Sequence, residues 1–237
     1  MRQVTSSVAV VIPARNEEQL VGRCLESVLV AARRVAIPVS ITLVADGCTD
    51  DTVQIARQYP GVTVVELDAS NVGSARRHGV EVACGSASSG VWIANTDADS
   101  VVPANWLVEQ LRLAHRGIEL VIGTVRPDFA DLSAEQVAAW TATHVPGFAN
   151  GHVHGANLGL SARLYEAAGG YPDLPEHEDV DLVARCATLN PVTLATDRCE
   201  VMTSGRQYGR TDGGYARYLR ADLLAAVQEA DSERTVR

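Results

Sequence analysis

Val91-Trp92-Ile93-Ala94-Asn95-Thr96-Asp97-Ala98-Asp99-Ser100-Val101 is the stretch that decides the reading of this chain. Its first five residues form an apolar run that reads as a buried strand, and the two aspartates fall where that strand ends. In extended backbone, residues two apart point to the same side, roughly 6–7 Å from one another. Two carboxylates so placed suit a hard divalent cation such as Mg²⁺, which takes oxygen ligands and shares itself with substrate phosphates. The plainer alternative is a turn in which Asp serves its own backbone. Trp92 and Trp106 flank the motif and read as core.

Outward from this stretch, strand and helix patterns alternate. Residues 8–12, 39–45, 62–67 and 120–125 read as further strands. Helical spacing covers 17–34, with Leu20, Val21, Cys24, Leu25, Val28, Leu29 and Ala32 on one face. Shorter helices are expected at 50–58 (capped by Thr49 or Asp50), at 74–84 and at 103–116, the last with Pro103 in its first turn. Apolar strands alternating with helices predict an α/β fold: an open, mostly parallel, twisted sheet covered by helices on both faces. Ligands on such sheets bind beyond the carboxyl ends of the strands. Three polar clusters sit at those ends: Arg15-Asn16-Glu17, Asp46 to Asp50, and Asp97-Ala98-Asp99.

The second half is less regular. Helices are expected at 133–143 with Ser133 as cap, at 161–168, at 178–189 and at 215–229. The last carries Leu219, Leu223, Leu224 and Val227 on a face that packs on the body. No repeat, low-complexity tract or linker interrupts the chain. It is expected to form one domain, with 8–125 as one half and 126–237 as the other.

Bulk numbers narrow the class. The chain has 237 residues, 46% of them hydrophobic, and a net charge of −9. That acidity argues against broad binding to nucleic acid or anionic membrane. Five scattered cysteines show no zinc spacing and fit free thiols in a reducing compartment. The five apolar residues Val8–Ile12 are too few for a signal-peptide core, and no run approaches the roughly 20 apolar residues of a membrane span. A soluble cytoplasmic protein without a transmembrane segment is expected.

The motifs then line up in order: Val11-Ile12-Pro13-Ala14-Arg15-Asn16-Glu17-Glu18, Val44-Ala45-Asp46-Gly47-Cys48-Thr49-Asp50-Asp51-Thr52, Asn71-Val72-Gly73-Ser74-Ala75-Arg76, Asp97-Ala98-Asp99, Gly155-Ala156-Asn157-Leu158 before Gly169-Gly170-Tyr171, and Glu178-Asp179-Val180-Asp181-Leu182. In this order they resemble the family 2 glycosyltransferases of GT-A fold, over about residues 8 to 190. The resemblance implies a nucleotide-sugar donor, a hydroxyl-bearing acceptor and a divalent cation, Mg²⁺ or Mn²⁺. It places Pro13, Ala14, Arg15 and Glu17 along the nucleotide pocket and Asp46 against the donor's base. Arg76 lies near the nucleotide, with Arg77 as a rival for that role. Asp97 faces ribose and metal, Asp99 binds the metal, and Asp179 is the general base, with Asp181 as the alternative. Gly155, Ala156, Asn157, Glu178 and Arg206 are candidates on the sugar or acceptor side. Arg206 and Arg210 read either as charge-assisted donors to a pyrophosphate or as solvent-facing charges. His152 and His154 reach the metal or acceptor, or belong to a surface loop.

Two departures stand out. Ala45 replaces the first acid of the usual Asp-Asp pair. The Gln-x-x-Arg-Trp of processive synthases is absent, which implies single transfer; Thr203-Ser204-Gly205-Arg206 resembles a segment of small soluble bacterial members. The expected function is metal-dependent transfer of one sugar with inversion. Rival readings are a nucleotidyltransferase, which lacks its Gly-rich basic loop here, and a catalytically degenerate nucleotide-sugar binder. A nicotinamide oxidoreductase lacks its GxGxxG turn. Oligomeric state is open, a homo-oligomer included.

Overall fold

The structure is a computed structural model that describes residues 5–85, 89–209 and 213–225. In chain order its elements are β1 (Ser7–Ala14), α1 (Val21–Ala32), β2 (Val39–Asp46), α2 (Thr52–Ala56), β3 (Val62–Leu67), α3 (Val72–Cys84), β4 (Val91–Asn95), β5 (Ser100–Val101), α4 (Trp106–His115), β6 (Leu120–Pro127), α5 (Ala134–Thr143), β7 (Leu158–Ser161), α6 (Ala162–Ala167), α7 (Glu178–Thr188), β8 (Thr193–Thr203) and α8 (Gly214–Arg217). The strands form one sheet in the order β3-β2-β1-β4-β7-β6-β8-β5. Strands β3, β2, β1 and β4 run parallel. The short β7 runs antiparallel to both β4 and β6, and β5 antiparallel to β8, while β6 and β8 are parallel.

Strand β1 shows why helices cover both faces. Its side chains alternate, so Val8, Val10 and Ile12 enter one core with Leu25 and Val28 of α1 and Trp106 and Leu107 of α4. Ala9 and Val11 enter the other, with Val80 of α3, Leu164 of α6 and Leu182 of α7. Trp92 and Trp106 are both fully buried, as expected of core residues.

Several boundaries differ from the sequence reading, each for a local reason. The helix expected from Glu17 begins at Val21: residues 18–20 form a turn, in which the Glu17 carbonyl accepts from the N–H groups of Leu20 and Val21 at 3.0 and 2.8 Å while its own N–H donates to Thr52 Oγ1 at 2.7 Å. In the 50–58 helix, Asp50 Oδ1 accepts from the Thr52 N–H and hydroxyl, and regular helix spans only Thr52–Ala56. Residues 103–105 form a turn before α4. Ser133 does cap α5, in a reciprocal pair with Gln136. Three strands, β5, β7 and β8, lie where no strand was expected. The last helix starts at Gly214 and passes into a π-helical turn over Tyr218–Asp222; Leu219 and Leu223 pack on Trp140 of α5. Its expected continuation, with Val227, lies outside the described residues, as does Arg210. Among the described residues no helix is long and apolar enough to cross a membrane.

Candidate active site

The carboxyl ends of the parallel strands open into a cavity of about 1100 Å³. The end of β1 brings Pro13 and Ala14 to its wall and the loop after it Arg15 and Glu17, β2 ends there in Asp46, and the turn after β4 adds Asp97 and Asp99.

Asp46 is 4% exposed and organises the next segment. Its Oδ1 accepts from the N–H groups of Ala69 and Ser70 at 2.7 and 2.9 Å, and its Oδ2 from Asn71 N–H at 2.7 Å. The carboxylate thus ties down the loop between β3 and α3 while it borders the cavity. Asn71 then caps α3, its side-chain oxygen accepting from Ser74 N–H. Gly73 lets that helix back onto the 172–174 loop: a Cβ there would lie 2.1 Å from the Pro172 carbonyl oxygen. The Ser74 hydroxyl donates to Asp173 in the same contact.

This seating aims Arg76 inward. It is 2% exposed; its Nη2 donates to Asp97 Oδ1 at 2.6 Å and its Nε to Glu178 Oε1 at 2.8 Å. Burial alone would lower the Arg76 pKa, but Asp97 and Glu178 together raise it. Arg77, the alternative, is exposed and lies outside the cavity wall. Gly155 fits against the guanidinium, since a Cβ there would stand 2.2 Å from Arg76 Nη2.

Asp99 and Glu17 share a second arginine. Arg206 donates from Nη1 to both Glu17 oxygens at 2.7 and 2.9 Å, and its Nη2 lies 2.8 Å from Asp99 Oδ2. Burial pushes the Asp99 carboxyl up to about 6; Arg206 opposes this, and Asp97 and Glu17 add to it. Among the described residues no three His, Cys, Asp or Glu side chains form a ready metal cage. The donor set nevertheless fits a hard cation. Mg²⁺ sites commonly use one or two carboxylates and complete themselves with substrate phosphates, and Asp97 and Asp99 both border the cavity.

Across the cavity, α7 is entered through His177 in the left-handed conformation (φ 60°). Asp179, in the first turn, accepts from Gly155 N–H on Oδ2 at 2.5 Å and from Val180 N–H on Oδ1 at 2.8 Å. Asp181, its sequence rival, is paired with Arg185 at 2.6 Å and does not border the cavity. Glu178 is buried; desolvation raises its pKa, Arg76 pulls it down and Asp179 raises it.

One expected site residue is corrected. Asn157 is fully buried and turned into the core: its Oδ1 accepts from Trp106 Nε1 at 3.0 Å, and its Nδ2 donates to the Thr124 and Cys199 carbonyls at 2.8 and 2.9 Å. It holds the sheet behind the Gly155–Ala156 wall and has no amide group left for a sugar. The sequence reading also missed Trp140, Tyr215 and Tyr218, which border the cavity. The i, i+3 spacing of the two tyrosines was the available signal.

A 61-residue stretch, 26% of the chain, is 41% identical to 4,4'-diaponeurosporenoate glycosyltransferase of Staphylococcus aureus (strain bovine RF122 / ET3-1), and spans 15% of that relative's length. Among solved structures, S. aureus TarS 1–349 in complex with UDP-GlcNAc matches with a TM-score of 0.66 at 15% identity, over 88% of this chain and 61% of that one. The mannosyltransferase PcManGT from Pyrobaculum calidifontis, in complex with GDP-Man and Mn²⁺, matches with a TM-score of 0.61 at 20% identity, over 97% and 76%. At these identities the likeness concerns the fold, and the fold is GT-A. The model of glycosyl transferase family 2 matches residues 9–155, well over half of the chain. The chain belongs to glycosyl transferase family 2.

Proposed function

We propose that this chain is a metal-dependent, inverting glycosyltransferase that moves a single sugar from a nucleotide diphosphate sugar to an acceptor hydroxyl. The observation that carries the reading is the convergence of Asp97 and Asp99 with Asp179 on one cavity, linked through Arg76, which binds Asp97 on one side and Glu178 on the other. Asp97 and Asp99 would hold the divalent cation, which when bound neutralises the diphosphate leaving group as a Lewis acid. Arg206 adds fixed positive charge beside the same acids. Asp179 takes the proton from the acceptor hydroxyl as it attacks. The N–H groups of Gly155 and Val180 hold its two oxygens, so the base is oriented before the acceptor arrives. Attack from the face opposite the leaving group inverts the anomeric centre. The solved neighbours carry UDP-GlcNAc in one case and GDP-Man in the other, so their donors do not name this chain's base. A cytoplasmic location belongs to the same reading, and the five free cysteines support it.

The test is thermal unfolding with UDP, GDP, dTDP and CDP, with and without Mn²⁺, on the native chain and Asp99→Ala. A ligand at about 100 times its Kd adds about 2.7 kcal/mol, a shift of roughly 5–10 °C for a chain of this size. A Mn²⁺-dependent shift with one diphosphate, lost in Asp99→Ala, is expected; no shift with any of them refutes donor binding. With the donor's base known, the product's anomeric proton coupling reads the stereochemistry, and a retained configuration refutes the role of Asp179.

A further inference from the structure

Arg206 divides its two amino groups between two acids of the cavity. Nη1 donates to both Glu17 oxygens at 2.7 and 2.9 Å, and Nη2 lies 2.8 Å from Asp99 Oδ2. The other Asp99 oxygen, Oδ1, accepts from the hydroxyls of Thr203 at 3.3 Å and Ser100 at 3.4 Å. Both oxygens of the acid assigned to the metal are therefore engaged within the chain, one by neutral hydroxyls and one by a full positive charge. The two anchors differ in depth: the Glu17 side chain is 6% exposed, that of Asp99 13% and that of Arg206 28%.

The backbone that carries Arg206 is held in place. Ser204 N–H donates to the Asp99 carbonyl at 3.2 Å, Gly205 N–H donates to Asp131 Oδ2 at 2.9 Å, and Arg206 N–H donates to Ser204 Oγ at 3.3 Å. A Cβ on Gly205 would stand 2.7 Å from the Asp128 carbonyl oxygen, so the segment lies directly on its neighbour. Any change of partner by Arg206 is thus a turn of the guanidinium and not a swing of the loop. Glu17 is the pivot for that turn, because it is the more deeply buried acid and takes two bonds where Asp99 takes one.

Asp99 stands between two cations. A guanidinium already on its carboxylate repels a divalent ion that approaches the same group, so the ion alone gains little there. A diphosphate changes the balance, since its oxygens accept charge-assisted hydrogen bonds from arginine and bind the ion as well. With a diphosphate beside it in the cavity that both border, Arg206 can leave Asp99 without losing an anionic partner.

We propose that Arg206 is the resident cation of the donor site: pivoting on Glu17, its Nη2 passes from Asp99 to the incoming diphosphate, and Asp99 is thereby released to the divalent ion. The exchange moves hydrogen bonds only, with no covalent step. It makes metal and diphosphate tighten one another beyond their direct contact, and the coupling is the same whichever of the two arrives first. Glu17 is then a positioning residue for Arg206. This rests on the reading above in which Asp99 binds the metal and the donor is a nucleotide diphosphate sugar.

The experiment is calorimetric titration of the native chain and Arg206→Met with UDP, GDP, dTDP and CDP, each in EDTA and in saturating Mn²⁺. Arg206→Gln takes the place of Arg206→Met if the latter does not fold by circular dichroism. The ratio of the two Kd values is the coupling between metal and diphosphate. Complex formation between Mn²⁺ and diphosphate in solution is common to both proteins and cancels when their ratios are compared. The expected coupling is larger in the native chain by about tenfold. Mn²⁺ alone, followed by the electron paramagnetic resonance of the free ion, should bind the variant more tightly than the native chain. Mere loss of one positive charge would tighten Mn²⁺ equally with and without diphosphate and leave the coupling unchanged. Couplings that agree within about twofold, a larger coupling in the variant, or Mn²⁺ alone bound no tighter by the variant each overturn the proposal. If no diphosphate binds the native chain in Mn²⁺, the donor reading falls and the exchange with it; if one binds and the couplings agree, the exchange alone falls.

Discussion

Replacing Arg76 by Met gives the sharpest stability test of the site. The guanidinium is sealed in the protein, its Nε on Glu178 and its Nη2 on Asp97. The two partners differ in their access to water. The Glu178 side chain is 7% exposed and that of Asp97 is 35%. Once Arg76 is gone, Asp97 can be hydrated, whereas Glu178 is left as a buried charge without a partner. Breaking a buried pair by removing one member costs about 3–5 kcal/mol, and nearly all of it should fall on the Glu178 side. For a chain of this length that is a drop in Tm of roughly 6–20 °C. Met fills most of the Arg volume, so cavity formation contributes little. The assay is urea unfolding of Arg76→Met, Glu178→Gln and the double variant. Neutralising Glu178 removes the stranded charge, so the double variant should be more stable than Arg76→Met alone by about 1–3 kcal/mol. A loss below 1 kcal/mol in Arg76→Met, or single effects that simply add, would refute the idea that the arginine is fixed chiefly through Glu178.

Two further outcomes follow from other residues. His154 has its folded pKa pushed from 6.5 to about 4, chiefly by burial, then by His152, with Asp97 opposing. Its contribution is therefore complete above pH 6.5 and is lost as pH falls toward 4, where the unfolded chain binds a proton that the native chain refuses. The difference amounts to about 3 kcal/mol. Urea midpoints at pH 7 and 4.5 should fall further apart in the native chain than in His154→Gln, and equal slopes would disprove the assignment. Asn157→Leu strands the Trp106 N–H and the carbonyls of Thr124 and Cys199, which should cost about 3 kcal/mol or more in urea unfolding. It should leave the diphosphate-induced thermal shift in place; loss of that shift with intact folding would return Asn157 to the binding site.

The parts of this molecule that were readable in its sequence are those governed by local pattern. The β1–β4 half is read from apolar runs such as Val8–Ile12 and Val91–Ala94, because strands buried on both faces are mostly apolar. The Ser133 cap is read from the spacing of Ser133 and Gln136. Strand β7 is only four residues long, and β5 only two, too short for any periodicity to show. Strand β8 begins with three exposed residues, Thr193 to Ala195, which hide its pattern. The acids and arginines of the site could be named from motif order, but their pairing could not. Nothing in the sequence joins Arg76 to Glu178 rather than to Asp179, or says that Arg206 reaches Glu17. Asn157 was misread for a related reason: a polar residue in a Gly-Ala-Asn turn reads as surface, and only the fold shows Trp106 waiting beneath it.

The Glu17–Arg206 pair also bears on how the molecule is made. Its partners are separated by 189 positions, and Arg206 also neutralises Asp99 across more than a hundred. During vectorial synthesis the β1–β4 half emerges with all three of its acids, while the arginine that quiets two of them has yet to be translated. Contacts of such long sequence separation form late and slow folding. The nascent β1–β4 half should therefore carry an unbalanced acidic pocket until the end of β8 arrives, and this acid–arginine cluster assembles as one of the last events of folding.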